Sequence, residues 1–427
     1  MTSTEAPERT AGSPPLRRQR GFSLLWFGES VSVLGNTTSA VLLPLLAVVS
    51  LDASAWWVGL LTAASWAPWL VIGLPAGAWV DRLPPIPVMV TSNLVSAAAL
   101  GSIPLTWWFG AVTLPQLLVV GAVAGTCTVF FRAAYQSLLP RLVAAPDLVT
   151  ANSRLQGSES GAQIGGTGVA GLLAQWVGAA VGLLLDAASF LVSSVCLLLI
   201  ARGMPSAERP VAAPRRALRT EIAEGVSFVA RDPFLRYFTW MGGLSNLGLT
   251  GYGTLLILFL VRDVGFSPAA IGGLLMITST GALVGALLAG PLARRLGTAR
   301  ATVVVQLAAG STALLIPLAG PGWRVSLFLV GQFMVALGVV AGNIIKGAFR
   351  QQYVPHGLMG RVVTSAQLVN FGTMPVAALL AGWLGSELGV RPTIAVMAAV
   401  HTLACAAVLL SPVRGLRDLP VSPPDRR

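Results

Sequence analysis

The chain has 427 residues, 55% of them hydrophobic and only 10% charged, with a mean hydropathy of +0.76. That is too little polar surface to cover a soluble globule, so the protein belongs in a bilayer. The net charge of +12 does not point to nucleic acid, because the basic residues sort to one side of a series of apolar runs.

A spanning helix needs about 20 mostly apolar residues, since each adds about 1.5 Å across roughly 30 Å of hydrocarbon. In chain order, residues 1–21 form a polar tail carrying Arg17, Arg18 and Arg20. The run that follows is too long for a cleaved signal peptide and has no small-residue cleavage site, which predicts a retained first span. Six spans are predicted in an N-terminal half, residues 22–201, at 22–49, 56–80, 87–109, 115–137, 157–178 and 180–201. An Arg-rich linker over 202–234 is broken by Pro205, Pro210 and Pro214, with a short surface helix predicted at 218–230. Six more spans fill a C-terminal half, 235–411, at 235–261, 268–293, 299–319, 323–349, 362–385 and 391–411, and residues 412–427 form a tail. Backbone groups in lipid must pair within their own segment, and these runs are continuous rather than short and alternating, so the fold class is an all-α polytopic membrane protein of about 12 transmembrane helices. The 47 glycines and 28 prolines suit membrane helices, where close approach and kinks are tolerated.

With a cytoplasmic N-terminus, every one of the 28 lysines and arginines except Arg262, Arg324 and Arg391 falls on the cytoplasmic side. The positive-inside rule then predicts that both termini are cytoplasmic and the number of spans even. The cysteines, Cys127, Cys196 and Cys405, each sit alone in a different span and offer neither a disulfide framework nor metal-ligand spacing.

The halves also match each other. A shift of 213 residues places Ser32, Leu34 and Gly35 on Ser245, Leu247 and Gly248, Gly59 on Gly272, and Gly77, Arg82 and Leu83 on Gly290, Arg295 and Leu296. A duplication of six spans with a common starting side gives parallel repeats related by an axis along the membrane normal, an arrangement of secondary transporters.

Particular strings carry a family likeness: LWFGESVSVLG (Leu25 to Gly35), GAWVDRL (Gly77 to Leu83), FFRAAYQSLLPRLV (Phe130 to Val143), LLLDAASFL (Leu183 to Leu191), EGVSFVARDPFLR (Glu224 to Arg236), VPHGLMGRV (Val354 to Val362) and the FGTMPVAALLAG run (Phe371 to Gly382). In order and spacing they resemble the major facilitator superfamily, in its branch of drug and siderophore exporters such as macrolide efflux pumps and enterobactin exporters. The resemblance implies a bacterial cytoplasmic-membrane antiporter that works as a monomer, with no cofactor and the proton gradient as its energy source. It also implies a cytoplasmic gate at Gly77, Asp81 and Arg82, which match the first half of the family's signature; Pro84, Pro85, Ile86 and Pro87 then replace its usual Gly and basic residues. The equivalent string in the second half holds Gly290, Arg294 and Arg295, with Arg294 where an acid often sits. The family's glycine-rich fifth span corresponds to AQIGGTGVAG (Ala162 to Gly171), where Gly166 and Gly171 match and Thr167 takes the place of a proline. That stretch reads either as a determinant of exchange or as close packing between the halves.

The resemblance further implies that the first, fourth, seventh and tenth spans line a central cavity for a small-molecule substrate. Each carries polar residues at helical spacing: Glu29, Ser32, Asn36 and Ser39; Arg132 and Gln136; Asn246, Thr250 and Thr254; Gln332, Asn343, Lys346 and Arg350. Such stripes serve either as cavity lining or as helix-to-helix glue. Glu29, roughly 10 Å into the first span, is a proton-coupling candidate; the alternative is a static pair with Arg132 or Arg361. Asp186, a second candidate, matches the family's DAxSF string in a span that packs outside the cavity, which favours a structural hydrogen bond. Lys346, the only lysine, and Arg350 suit an anionic substrate or a loop carboxylate. His401 reads as a core residue, and His356 lies in a loop.

A membrane-embedded enzyme would need a nucleophile and base or a metal cluster, and no such constellation is found. No GxxxxGK[ST] phosphate loop supports ATP-driven transport. The predicted function is export of small amphipathic molecules such as antibiotics or secondary metabolites in exchange for protons, with siderophore export and nutrient uptake as alternatives on the same fold.

Overall fold

The computed structural model describes residues 19–422 apart from 81, 145–146, 204–217 and 356–357. The first half contains α1 (Arg20–Leu45, ending in a π turn over Leu46–Ser50), α2 (Ala55–Val71), α3 (Gly73–Val80), α4 (Pro85–Trp108), α5 (Leu114–Leu142), α6 (Leu148–Trp176) and α7 (Ala179–Gly203). After α8 (Leu218–Arg231), the second half contains α9 (Pro233–Leu258, ending in a π turn over Phe259–Asp263), α10 (Pro268–Leu296), α11 (Thr298–Ala313), α12 (Val325–Tyr353), α13 (Met359–Glu387) and α14 (Val390–Ala406). Among the described residues, ten helices are long and apolar enough to cross a membrane alone. The other two spans are the second and the fifth. The second is broken at Ile72, between Pro68 in the last turn of α2 and Gly73, into α2 and α3. The fifth, α6, carries Asn152, Arg154, Gln156, Glu159 and Gln163 along its first half, which lowers its apolar content.

The duplication read from the sequence recurs in the elements themselves. Helices of the two halves start 213 residues apart at 20 and 233, 55 and 268, and 85 and 298, and 211 apart at 114 and 325, 148 and 359, and 179 and 390. Both first helices of the halves end in a π turn at the same relative position, 46–50 and 259–263.

Local chemistry sets the helix starts. Thr113 and Ser267 accept from the backbone N–H three residues on, at 3.4 Å each, and a proline follows at the first helical turn. Asp232 caps α9 more firmly, accepting from Phe234 N (3.0 Å) and Leu235 N (2.9 Å) while Tyr353 donates to its other oxygen at 2.6 Å. α11 follows Gly297, at φ +89°, and has no capping side chain of its own. The C-terminal segment supplies one: Asp418 accepts from Thr298 N at 2.9 Å, and Thr298 Oγ1 accepts from Leu419 N at 2.8 Å. A side chain at Gly297 would collide with the Arg417 carbonyl, so the glycine serves both its left-handed backbone and this close approach.

The core is shared at one end of the bundle and divided at the other. At the loop end, opposite the chain termini, Leu45, Leu46, Val58, Leu255, Phe259, Ile271 and Ala381 from both halves belong to one buried cluster. At the terminal end each half has its own: Phe22, Leu25, Met89 and Leu138 in the first, Leu235, Phe238, Phe349 and Tyr353 in the second. The halves meet at two glycine crossings. A Cβ at Gly59 of α2 would lie 2.7 Å from the Cα of Gly382 in α13, and one at Gly171 of α6 would lie 2.6 Å from the Cα of Gly272 in α10. Backbones touch there without intervening side chains. Further along the same pair of helices, Trp69 of α2 packs on Phe371 of α13 with ring centres 4.9 Å apart. Beyond the crossings, Arg262 donates to Asp52 at 2.5 Å, linking the π turn of α9 to the loop that follows that of α1.

Candidate functional site

Each half holds a cavity on its terminal side. The first, about 150 Å³, lies among α1, α5 and α6 and is lined by Glu29, Ser30, Arg132, Tyr135, Asn152, Gln156 and Glu159. Arg132 pairs with Glu159 at 3.6 Å, and Gln156 Nε2 donates to the same carboxylate at 3.3 Å. Glu29, half-buried in the same cavity, makes no ion pair or hydrogen bond among the described residues. The expected alternative for Glu29, a static pair with Arg132 or Arg361, is therefore not what forms: Arg132 goes to Glu159, and Arg361 goes to Glu224 of α8. Glu159 was not among the residues singled out in the sequence. Its signal was the polarity of the fifth span, where a carboxylate three residues after Gln156 shares a face with it.

The second cavity, about 350 Å³, is lined from α9 by Ser245 and Asn246, from α11 by Gln306, from α12 by Asn343, Lys346 and Arg350, from α13 by Gln367 and Asn370, and from α14 by His401 and Cys405. Much of its polarity is internally satisfied. Asn246 donates to Asn370 at 3.2 Å, and Asn370 donates to the Ala366 carbonyl at 2.9 Å. Ser245 Oγ lies 3.0 Å from His401 Nδ1, and His401 Nε2 lies 3.7 Å from Cys405 Sγ. His401, read from the sequence as a core residue, is buried but also borders this cavity.

The other sequence-selected residues stand elsewhere. Ser32, Asn36, Gln136, Thr250, Thr254 and Gln332 line neither cavity. Ser32 and Thr254 are buried, and Asn36 and Gln136 are exposed. Thr254 donates to the Thr250 carbonyl at 2.7 Å, and Gln332 accepts from Tyr252 at 3.3 Å, so both act within or between helices. Asp186, 1% exposed, sits between α1 and α7 beside Ser39 and accepts from Ser189 at 3.1 Å. Gly35 leaves the notch that admits it: a Cβ there would come within 2.5 Å of its Oδ1. Asp81 lies outside the described residues, as does His356. Arg82, Arg294 and Arg295 are exposed and make no ion pair among the described residues, and Gly77 and Gly290 have no partner helix against them. Of the fifth-span glycines, Gly171 forms one inter-half crossing, while Gly166 packs on Thr37 of α1 within its own half.

A family model of the Major Facilitator Superfamily matches residues 25–374 and again residues 241–426. The chain belongs to this superfamily. It is a multi-pass membrane transporter and not an enzyme, and its two six-helix halves are those of the facilitator fold. This facilitator is similar to the multidrug efflux pump Tap of Mycobacterium tuberculosis strain H37Rv, 27% identical over 418 residues that cover 94% of this chain and 95% of that protein. It is likewise similar to Tap of Mycolicibacterium fortuitum, 28% identical over 422 residues covering 94% and 98%. Among solved structures it resembles a bacterial homologue of the iron transporter ferroportin in its inward-facing state, with a TM-score of 0.76 at 16% identity, covering 93% of this chain and 99% of that one. At that identity the likeness concerns the fold alone.

Proposed function

We propose that this facilitator exports small amphipathic organic molecules across the cytoplasmic membrane in exchange for protons. The halves rock about a midplane site, and Glu29 carries the proton. The observation that carries the reading is Glu29 itself: an acid in a membrane-spanning helix, facing a cavity and left without a partner while the neighbouring Arg132 is taken by Glu159. Intramembrane carboxylates of this kind mark proton relays. Resemblance to proteins named multidrug efflux pumps supports the direction and the breadth of substrate. The shared core at the loop end and the divided cores at the terminal end support alternating access, in which one end is closed while the other admits solute. In this reading both termini are cytoplasmic, as the distribution of Arg and Lys favours. The protein then works as a monomer, its partners being the solute and the lipid.

The test is reconstitution in vesicles with an imposed pH gradient, recording proton release as amphipathic drugs and siderophores are added. Drug-dependent proton flux is expected, and Glu29→Gln is expected to lower it by about tenfold or more, equivalent to at least about 1.4 kcal/mol, while drug binding persists. Solute movement indifferent to the gradient would overturn proton exchange.

A further inference from the structure

The second cavity has a chemical bias that the first lacks. Its charged residues are Lys346 and Arg350, one helical turn apart on α12, and no carboxylate lines it among the described residues. Neither cation makes an ion pair or hydrogen bond with a described side chain, whereas Arg132 is paired with Glu159, Arg361 with Glu224 and Arg262 with Asp52. Opposite them on α11, Gln306 is 5% exposed and accepts from Tyr237 through Oε1, leaving its Nε2 donors without a partner. Asn246 is already bonded to Asn370, and His401 to Ser245. The unpaired charge of the cavity is thus all positive, an ammonium and a guanidinium, with the buried carboxamide N–H₂ of Gln306 as a further donor. Two cations side by side without a carboxylate repel one another, and a negative ligand relieves that repulsion.

We infer that the transported molecule carries an anionic group, a carboxylate, phosphate or sulfonate, that binds between Lys346, Arg350 and Gln306. The inference rests on the transporter reading and places the charged group of the solute in the second cavity. Arg350 can grip two oxygens of such a group at once, while Lys346 acts as a point charge. The apolar remainder of the molecule then lies along Phe238, Val339 and Phe371, which line the same cavity.

The test uses three probes alike except in charge: pyrenebutyrate, its primary amide, and a pyrenylbutyl trimethylammonium. Binding to the purified protein in neutral detergent is read by energy transfer from tryptophan. Pyrenebutyrate is expected to bind about tenfold or more tightly than the other two. Lys346→Met and Arg350→Gln are each expected to remove that preference while leaving amide binding unchanged, and Lys346→Arg to keep it. Because the amide reports folding independently, a variant that fails to bind all three is replaced by its conservative partner, Lys346→Arg or Arg350→Lys. Equal affinity for the three probes, or a preference that survives both neutral variants, would overturn the inference. A lipid phosphate offers the same chemistry. Displacement of pyrenebutyrate by short-chain phosphatidylglycerol, with no uptake of pyrenebutyrate into vesicles, would assign the cations to a lipid headgroup and overturn the solute reading. Anion preference that persists in a protein whose Glu29→Gln variant still exchanges protons leaves this site standing and removes the coupling scheme alone.

Discussion

Three charged side chains in the first cavity divide unequally. Arg132 can neutralise one carboxylate at close range, and it takes Glu159, assisted by Gln156. On the proposed mechanism, that choice leaves Glu29 to carry the proton. Neutralising Glu159 therefore acts on Glu29 from a distance: with Glu159→Gln, Arg132 is left to pair with Glu29, and a paired carboxylate no longer exchanges freely. Proton flux in vesicles is expected to fall about tenfold, and the double variant with Glu29→Gln to be no worse than either single change, the signature of residues acting as one unit. Wild-type flux in Glu159→Gln would sink this account. The sequence alone made Glu29 and Arg132 legible because they interrupt strongly apolar helices. It hid Glu159 because α6 is polar over several turns, so one acid there does not stand out. Gln306 was hidden for the opposite reason: a single neutral amide in an apolar span reads as packing, and only the direction of its bond to Tyr237 exposes the unused donors.

Among the elements, most boundaries followed from apolar run length; the fifth span, expected at 157–178, starts earlier, at Leu148. The surface helix expected over 218–230 forms as α8, Leu218–Arg231. Periodicity could not show the break at Ile72, because an apolar run looks continuous whether or not its backbone bonds are. Nor could it show that α11 is capped by residues more than a hundred positions away. Asp418 satisfies a donor at the start of α11 that no neighbour along the helix can reach, and its charge complements the partial positive end of the helix. Asp418→Ala is expected to cost about 0.5–2 kcal/mol, seen as faster hydrogen exchange at Thr298 to Ala301 with the rest of the bundle unaffected. Asp418→Asn, which keeps an acceptor, is expected to retain most of the protection. Unchanged exchange at these amides would show that the C-terminal segment only rests there.

At the scale of the whole molecule, the 213-residue shift already paired Gly59 with Gly272, but not what they touch. Each meets a glycine of the opposite half, Gly382 and Gly171, so the duplication yields two crossings related by the pseudo-two-fold axis. Gly59→Leu has no flexible neighbour to displace, only backbone, and is expected to hold the loop end apart. Spin labels introduced by Ala111→Cys and Pro321→Cys, in loops of opposite halves at that end, are expected to shift to longer separations, with drug export reduced about tenfold. An unchanged distance distribution would mean that the crossings are not what closes the bundle.

The single core at the loop end has a thermal consequence. Opening that end brings Leu45, Leu255, Phe259 and their neighbours against water, whereas at the terminal end the halves already keep their apolar residues to themselves. On the proposed alternating access, the two orientations differ in heat capacity, and the closed loop end, being held by hydrophobic contact, is expected to loosen as the temperature falls. The unequal division of the interior then makes the resting orientation depend on temperature as well as on ligands.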